Sequence, residues 1–178
     1  MPVIDVDNLS CTFGQTIALN GLSFSVNQGE IFGLVGPDGS GKTTCLRILC
    51  GLIEPSSGCA TVLGKDVGRE PEAIRSQIGY MAQPAGLYDE LTVTENIEFY
   101  AALYGMTPAQ AKERMKRLLS FSRLAPFSDR YFRNLSGGMK QKAGLTCALI
   151  HTPRILFLDE PTNGVDPVSR RDFWKILY

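Results

Sequence analysis

The sequence predicts an α/β fold, and three observations support this prediction. An apolar run at residues 31–35 leads into a glycine-rich stretch at residues 36–43 and then into a helix-like segment at residues 44–50. A second apolar run, at residues 155–158, ends in an acidic pair. Hydrophobic residues make up 44% of the 178-residue chain, which is enough for a core, and this length fits one domain.

The N-terminal part has the pattern of a sheet. Short β-like segments are predicted at residues 3–6, 22–26 and 31–35. Gly51 follows the predicted helix in the position of a C-terminal cap. A turn rich in proline, serine and glycine then leads into a strand at residues 59–63, and residues 77–81 form a further buried strand.

The middle of the chain changes to a helical pattern. Thr92 and Thr107 each begin a capping-box sequence, which marks the start of a helix. A third helix is predicted from Ser136 to about residue 150, followed by a strand at residues 154–158 and a last helix that opens at Asp166 and Pro167.

Composition narrows the class of protein. Lys and Arg total 18, as do Asp and Glu, so the formal net charge is zero. This argues against binding to nucleic acid or anionic lipid that depends mainly on electrostatic attraction. No apolar run approaches the roughly 18 residues that cross a bilayer, and no signal peptide is recognisable, so we expect a soluble protein that can dock on a membrane partner. Reduced, mostly buried thiols rather than a metal site are predicted for Cys11, Cys45, Cys50, Cys59 and Cys147.

The glycine-rich stretch matches a phosphate-binding loop in its expected setting between strand and helix. Its backbone N–H groups and the following helix N-terminus favour phosphate, Lys42 supplies a positive charge for the β- and γ-phosphates, and the Thr43 hydroxyl can ligate Mg²⁺. A chance glycine-rich turn is the alternative. The predicted nucleotide contacts are Gly36, Pro37, Asp38, Gly39, Ser40, Gly41, Lys42, Thr43 and Thr44.

The acidic pair at the end of the second apolar run predicts metal and proton chemistry. In P-loop enzymes the first carboxylate, here Asp159, holds Mg²⁺ through water. The next, Glu160, can polarise an attacking water as general base. Alone, such a pair is equally consistent with an ordinary strand end, but it follows a phosphate-binding loop here.

A third motif, Leu-Ser-Gly-Gly-Met at residues 135–139, forms a second anion-binding helix start, with Ser136, Gly137 and Gly138 as the contact residues. One chain does not need two γ-phosphate sites, so this helix end is predicted to serve a nucleotide held by another subunit. The motif resembles the signature of the ATP-binding-cassette (ABC) ATPases, with Met139 in the usual glutamine position.

The resemblance implies further site residues. Phe13 has the position of the aromatic that stacks on adenine, with a core phenylalanine as the alternative. Gln83 resembles the glutamine that touches Mg²⁺ or the attacking water and senses the membrane subunit. Asp166 resembles the aspartate that links the two sites of a dimer, and a helix-capping role is compatible with this. Asp38 replaces the usual asparagine; it either points away from the triphosphate or weakens its binding.

The whole chain resembles the ATPase subunits of ABC-2-type multidrug exporters. This implies a P-loop NTPase fold: a RecA-like core with an N-terminal antiparallel β region, and an inserted helical subdomain. The predicted organisation is one ATP-binding domain over residues 1–178, with the core at 1–84 and 151–178 and the helical subdomain at 85–150.

The same resemblance implies a function. ATP and Mg²⁺ would bind, and ATP hydrolysis would power export of small molecules or drugs. The implied partners are a second cassette and transmembrane permease subunits, with no nucleic acid, at the cytoplasmic face of the inner (plasma) membrane.

Two alternatives remain beside this interpretation. The family's switch histidine, at the end of the strand after the catalytic glutamate, would lie beyond Tyr178, and His151 precedes the acidic pair. We therefore expect a C-terminally incomplete cassette, which could bind ATP weakly or be inert. The second alternative is a non-transport ABC ATPase of the chromosome-maintenance or DNA-repair type. The segment between Gln83 and Leu135 is short and lacks sustained heptads, which counts against it.

Overall fold

The computed structural model of the chain describes residues 2–83 and 86–176. Contacts divide the chain into two units, Met1–Ile78 and Gly79–Tyr178. The predicted boundary of the helical subdomain, between residues 84 and 85, lies outside the described residues. The predicted subdomain division therefore stays a prediction.

A four-stranded sheet dominates the first unit. Its strands are β1 (Ile4–Phe13), β2 (Thr16–Val26), β3 (Ser57–Val62) and β4 (Lys65–Asp66), in the order β2-β1-β3-β4. Every pairing is antiparallel, which confirms the predicted N-terminal antiparallel β region. The unit also contains two helices, α1 (Lys42–Leu49) and α2 (Pro71–Arg75).

Both N-terminal strands are longer than predicted. The pairing of β1 with β2 shifts register between Val6 and Leu9 and again between Leu9 and Cys11. Asn8, inside the first shift, has a left-handed φ of 50°. Such irregularities break the two-residue alternation of buried and exposed side chains, so the sequence pattern shows only fragments of each strand.

The predicted strand at residues 31–35 is wrong. Among the described residues, no strand pairs with this segment, and it has no regular secondary structure. Ile31 is 72% exposed and Val35 is 99% exposed, while the Phe32 ring stacks on Phe24 at 4.9 Å between centroids. A β-strand requires a hydrogen-bonded neighbour, and apolar composition alone does not supply one.

The second unit combines a two-stranded sheet with helices. Strands β5 (Ile78–Met81) and β6 (Ile155–Leu158) pair with each other. A side chain at Gly79 would collide with the carbonyl oxygen of Ala148, so glycine is needed there for the close approach to the helix that carries Ala148. The helices are α3 (Val93–Leu103), α4 (Pro108–Ser122), α5 (Gly137–Leu149) and α6 (Pro167–Trp174).

The predicted helix starts are confirmed. The Thr92 hydroxyl accepts the Glu95 N–H at 3.1 Å, and the Glu95 carboxylate accepts the Thr92 N–H at 2.7 Å. Thr107 and Gln110 form the same reciprocal capping box at the start of α4. Each box satisfies donors that a helix N-terminus otherwise leaves unpaired.

Helix α5 is fixed by two apolar clusters. One joins it to α3 and α4 and includes the fully buried Val93, Ile97 and Ile150. The other includes Leu145 and Phe173 and joins α5 to α6. The buried residues of α5 lie in its C-terminal half, from Ala143 to Ala148. Within the described ranges, no helix is long and apolar enough to cross a membrane.

Candidate functional site

The glycine-rich loop of the first unit ends in the start of α1. Gly41, the residue before the helix, has a left-handed φ of 88°, and its carbonyl oxygen accepts the Cys45 N–H at 2.9 Å. A side chain at Gly41 would collide with the Ala18 carbonyl oxygen of β2. At Gly36, a Cβ atom would lie 2.7 Å from the Ser40 hydroxyl oxygen. Glycine is therefore required at Gly41, whereas a side chain at Gly36 would displace the Ser40 hydroxyl.

Lys42 folds back over this loop. Its Nζ donates hydrogen bonds to the carbonyl oxygens of Gly36 and Pro37, both at 2.9 Å. The ammonium group is thus held above the backbone that would surround a phosphate. Thr43 and Thr44 follow in the first turn of α1 and are half-buried.

An open cleft of about 620 Å³ lies between the loop and β2. Its size is within the usual range of ligand pockets, and its wall includes Gly36, Pro37, Gly39, Ser40, Gly41 and Lys42. Asp38 and Phe13 do not line it; Asp38 is exposed, and Phe13 is 54% exposed at the end of β1. The glycines, the helix start and the lysine fit a polyphosphate group.

The cysteine beside the loop is a buried thiol. Cys45 is buried in the first turns of α1, and burial raises the pKa of its thiol to about 11. Cys11, Cys50 and Cys147 are buried as well, whereas Cys59 is exposed. This agrees with the prediction of mostly buried thiols.

The acidic pair lies at the end of β6 in the second unit. Asp159 is 2% exposed, its N–H donates to the Met81 carbonyl oxygen at 3.0 Å, and its Oδ2 accepts a hydrogen bond from the Tyr80 hydroxyl at 3.3 Å. A buried carboxylate requires such donors. Gln83 lies two residues beyond the end of β5 and is exposed.

Glu160 has a strained backbone and a fixed side chain. Its φ of 46° is left-handed, which is uncommon for a residue with a side chain. The Asn163 side-chain amide donates to Glu160 Oε2 at 3.1 Å, and the Asn163 N–H donates to the Glu160 carbonyl oxygen at 3.1 Å. The carboxylate is therefore oriented by the turn that follows it.

The Ser-Gly-Gly motif begins α5 as predicted. Ser136 is the N-cap, and its hydroxyl accepts the Met139 N–H at 3.4 Å. A Cβ atom at Gly138 would lie 2.7 Å from Ser169 Cβ, whereas one at Gly137 would meet only the Gly164 carbonyl oxygen, at 3.8 Å. Gly138 thus permits α5 to start directly against α6.

Asp166 caps α6. Its Oδ1 accepts the N–H groups of Val168 and Ser169, both at 3.0 Å. Hydrogen bonds from Ser169, through its side chain and then its backbone, lower the pKa of the Asp166 carboxyl. A lowered folded-state pKa means that the cap stabilises the fold above the ordinary aspartate range, and that this contribution is lost as the pH falls through the folded-state value.

Three residues were not predicted: two contact the acidic pair, and the third contacts the loop before α3. Tyr80 and Asn163 contact the acidic pair, as described above. Asn96 is 1% exposed; its amide donates to the carbonyl oxygens of Tyr88 and Thr92 at 3.0 Å, and its Oδ1 accepts the Tyr88 N–H at 2.9 Å. It therefore holds the loop that leads into α3. Asn96 and Asn163 stand among polar and small residues, so their local sequence carries no signal of these contacts. Tyr80 is the polar group of a mostly apolar stretch, which indicates that its hydroxyl needs a partner but does not identify that partner.

Each unit contains part of the predicted site. The first contains the glycine-rich loop and Phe13, but Phe13 does not line the cleft beside the loop. The second joins Asp159 to the strand before Gln83, and the Ser-Gly-Gly motif to the start of α6.

Known proteins share this sequence and fold. The ABC transporter family model matches residues 19–163. The probable multidrug ABC transporter ATP-binding protein YbhF of Escherichia coli (strain K12) is 49% identical over 157 residues, which cover 88% of this chain and 27% of YbhF. Nod factor export ATP-binding protein I of Rhizobium sp. (strain N33) is 42% identical over 174 residues, covering 98% of this chain and 57% of that protein. The chain thus spans about a quarter of one relative and rather more than half of the other.

A solved structure confirms the predicted fold. The dimeric post-hydrolysis state of the ATP-binding cassette MJ0796, bound to ADP and Pi, superposes with a TM-score of 0.87 at 27% identity, covering 98% of this chain and 81% of that one. The predicted P-loop NTPase fold of ABC type is therefore confirmed. Since the family model matches well over half of the residues, this chain belongs to the ABC transporter family, as an ATP-binding cassette.

Proposed function

We propose that this chain binds ATP with Mg²⁺ and hydrolyses it to drive a transporter. The observation that carries the proposal is the glycine-rich loop whose lysine is held over its backbone by two 2.9 Å hydrogen bonds. A polyphosphate offers oxygen acceptors to the same ammonium group and to the loop N–H groups.

Each site residue has a proposed role. Phe13 stacks on adenine, and Thr43, Gln83 and Asp159 hold Mg²⁺. When bound, this ion neutralises charge on the β- and γ-phosphates. The residues proposed to surround the triphosphate are Gly36, Pro37, Asp38, Gly39, Ser40, Gly41, Lys42, Thr43 and Thr44.

Glu160 is the proposed general base. Its carboxylate, oriented by Asn163, would take a proton from the attacking water while Gln83 positions that water. Ser136, Gly137, Gly138 and Asp166 would serve the nucleotide of a second cassette. The dimeric cassette with ADP and Pi supports this, because it shows a related protein in a paired state after hydrolysis.

A membrane partner is the second half of the proposal. The names of the two relatives refer to multidrug transport and Nod factor export, which suggests export of small molecules. An exposed apolar face on and before α3 is available for docking: Tyr88 is 47% exposed, Phe99 42% and Leu103 68%. We propose that permease subunits bind there, which would place the protein at the cytoplasmic face of the membrane.

A cassette that binds ATP but hydrolyses little is a second candidate. The exposed apolar segment at residues 31–35, directly before the loop, favours it. None of the described strands pairs with this segment, and a loop that follows an unpaired segment is less firmly positioned. In contrast, the longest described helix, α4, has 15 residues, which gives no support to a chromosome-maintenance ATPase with long coiled coils.

The test is ATP affinity by calorimetry in the presence of Mg²⁺. Lys42→Ala should weaken binding at least about ten-fold, or about 1.4 kcal/mol, because it removes the charge that faces the phosphates. Lys116→Ala, at an exposed position of α4, is the matched control and should leave affinity unchanged. Equal affinity of the parent and Lys42→Ala would refute the nucleotide assignment.

A further inference from the structure

Tyr80 connects the two strands of the second unit through a side chain. It lies in β5, and its hydroxyl donates a hydrogen bond to Asp159 Oδ2 at 3.3 Å. The neighbouring Met81 accepts the Asp159 N–H at 3.0 Å. Asp159 is therefore held by β5 twice, once through its backbone and once through its carboxylate.

This side-chain contact contributes to the orientation of the carboxylate. A donor on one oxygen of a carboxylate favours the rotations that keep the hydrogen bond, and so biases the direction in which both oxygens present their lone pairs. Asp159 is 2% exposed, so bulk water provides little competing solvation. Hydrogen bonds to a metal-associated group commonly tune metal affinity from outside the coordination sphere.

We propose that Tyr80 is a positioning residue that orients Asp159 for Mg²⁺ and so sets the magnesium requirement of nucleotide binding. The inference rests on the proposed function, since it takes Asp159 as a magnesium-associated carboxylate. The inference goes beyond the proposed function because it assigns a role to Tyr80, a residue outside the predicted motifs. Because Tyr80 stands three positions before Gln83, one short segment carries both groups.

The competing explanation is that Tyr80 only fills space and satisfies its own hydroxyl. Removing the hydroxyl would then affect folding stability but not the dependence on Mg²⁺. The two explanations differ in what a metal titration shows.

The experiment uses Tyr80→Phe, which removes one oxygen and keeps the ring. ATP binding is measured by calorimetry in EDTA and then across a Mg²⁺ titration at fixed ATP. Affinity in EDTA should stay within about two-fold of the parent, while the Mg²⁺ concentration for half-maximal enhancement of binding should rise about ten-fold. Tyr131→Phe is the matched control; Tyr131 is 45% exposed, and its variant should match the parent in both measurements.

A double-variant cycle supplies a second measurement. Asp159→Asn should itself raise the Mg²⁺ requirement, and adding Tyr80→Phe to it should raise that requirement no further, because the hydroxyl acts through the carboxylate. Independent, additive effects would overturn the inference.

The inference and the proposed function fail in different ways. If Tyr80→Phe has the parental Mg²⁺ requirement while Lys42→Ala still weakens binding, only the role of Tyr80 is refuted. If Tyr80→Phe loses the same affinity with and without Mg²⁺, Tyr80 has a structural role, and its proposed positioning role is refuted as well. If Lys42→Ala binds ATP like the parent, the proposed function fails.

Discussion

At the scale of single residues, Glu160 combines a left-handed backbone with a side chain that is bonded by the turn after it. A left-handed conformation of a residue with a side chain costs on the order of 1–3 kcal/mol, and the surrounding structure must offset it. Here the φ of 46° is maintained by Asn163, which bonds both the carbonyl oxygen and the carboxylate of Glu160. The conformation of this turn therefore costs folding free energy, and it orients the Glu160 carboxylate.

Glu160→Gln should separate ATP binding from hydrolysis. The amide keeps the size of the side chain and an oxygen that can accept from Asn163, but it cannot take a proton from water. We expect ATP affinity close to the parent, phosphate release slower by about 100-fold or more, and an ATP-dependent dimer that persists. Phosphate release and gel filtration with ATP measure these effects.

An exposed glutamate supplies the control for this substitution. Glu98→Gln, on the solvent-facing side of α3, should hydrolyse ATP at the parental rate. If Glu160→Gln does so too, Glu160 is not the general base.

The sequence predictions for Lys42, Asp159 and Glu160 rest on short local motifs. The structure has Lys42 at the end of the glycine-rich loop and the two acidic residues at the end of β6, and the roles of all three stay predictions. Tyr80 could not be predicted, because its contact with Asp159 joins positions 79 residues apart. Only pairing of β5 with β6 creates that contact.

At the scale of elements, two adjacent glycines at the start of α5 have different surroundings. A Cβ atom at Gly138 would lie 2.7 Å from Ser169 Cβ and 2.8 Å from its hydroxyl oxygen, while Gly137 has open space up to 3.8 Å. Alanine normally favours a helix over glycine by about 1 kcal/mol. Packing against α6 should reverse this preference at one position only.

Gly138→Ala should destabilise the protein by roughly 1–3 kcal/mol through overpacking, whereas Gly137→Ala should be neutral or slightly stabilising. Chemical unfolding of both variants makes the comparison. The double variant Gly138→Ala/Ser169→Gly should be more stable than the sum of the two single effects predicts. The second substitution removes the Cβ and Oγ atoms of Ser169, which oppose the new methyl group. Equal stability of the two alanine variants would show that the close approach of α5 and α6 does not constrain Gly138.

Helices and strands differed in how well the sequence predicted them. The starts of α3 and α4 were predicted because a capping box is complete within four residues. The extent of β1 was not, because its register shifts depend on the partner strand. Residues 31–35 have strand composition, but pairing is decided by the neighbours available, and none of the described strands pairs with them.

At the scale of the whole molecule, that same segment leaves apolar surface exposed on a chain with no net charge. Val35 is 99% exposed and Ile31 is 72% exposed, and the 18 basic residues balance the 18 acidic ones. Electrostatic repulsion between copies is therefore weak, and an exposed apolar segment that pairs with none of the described strands can pair with another chain.

We therefore expect the 178-residue chain to self-associate through residues 31–35, and we expect Val35→Glu to slow this several-fold. Val168→Glu is the matched control, since it introduces the same charge at an exposed valine, 59% accessible at the start of α6. Light scattering at fixed protein concentration measures the rate, and thermal unfolding confirms that both variants remain folded. If the two substitutions slow association equally, net charge governs it. A larger effect of Val35→Glu identifies the unpaired segment as the contact, because the two variants differ only in where the charge is placed.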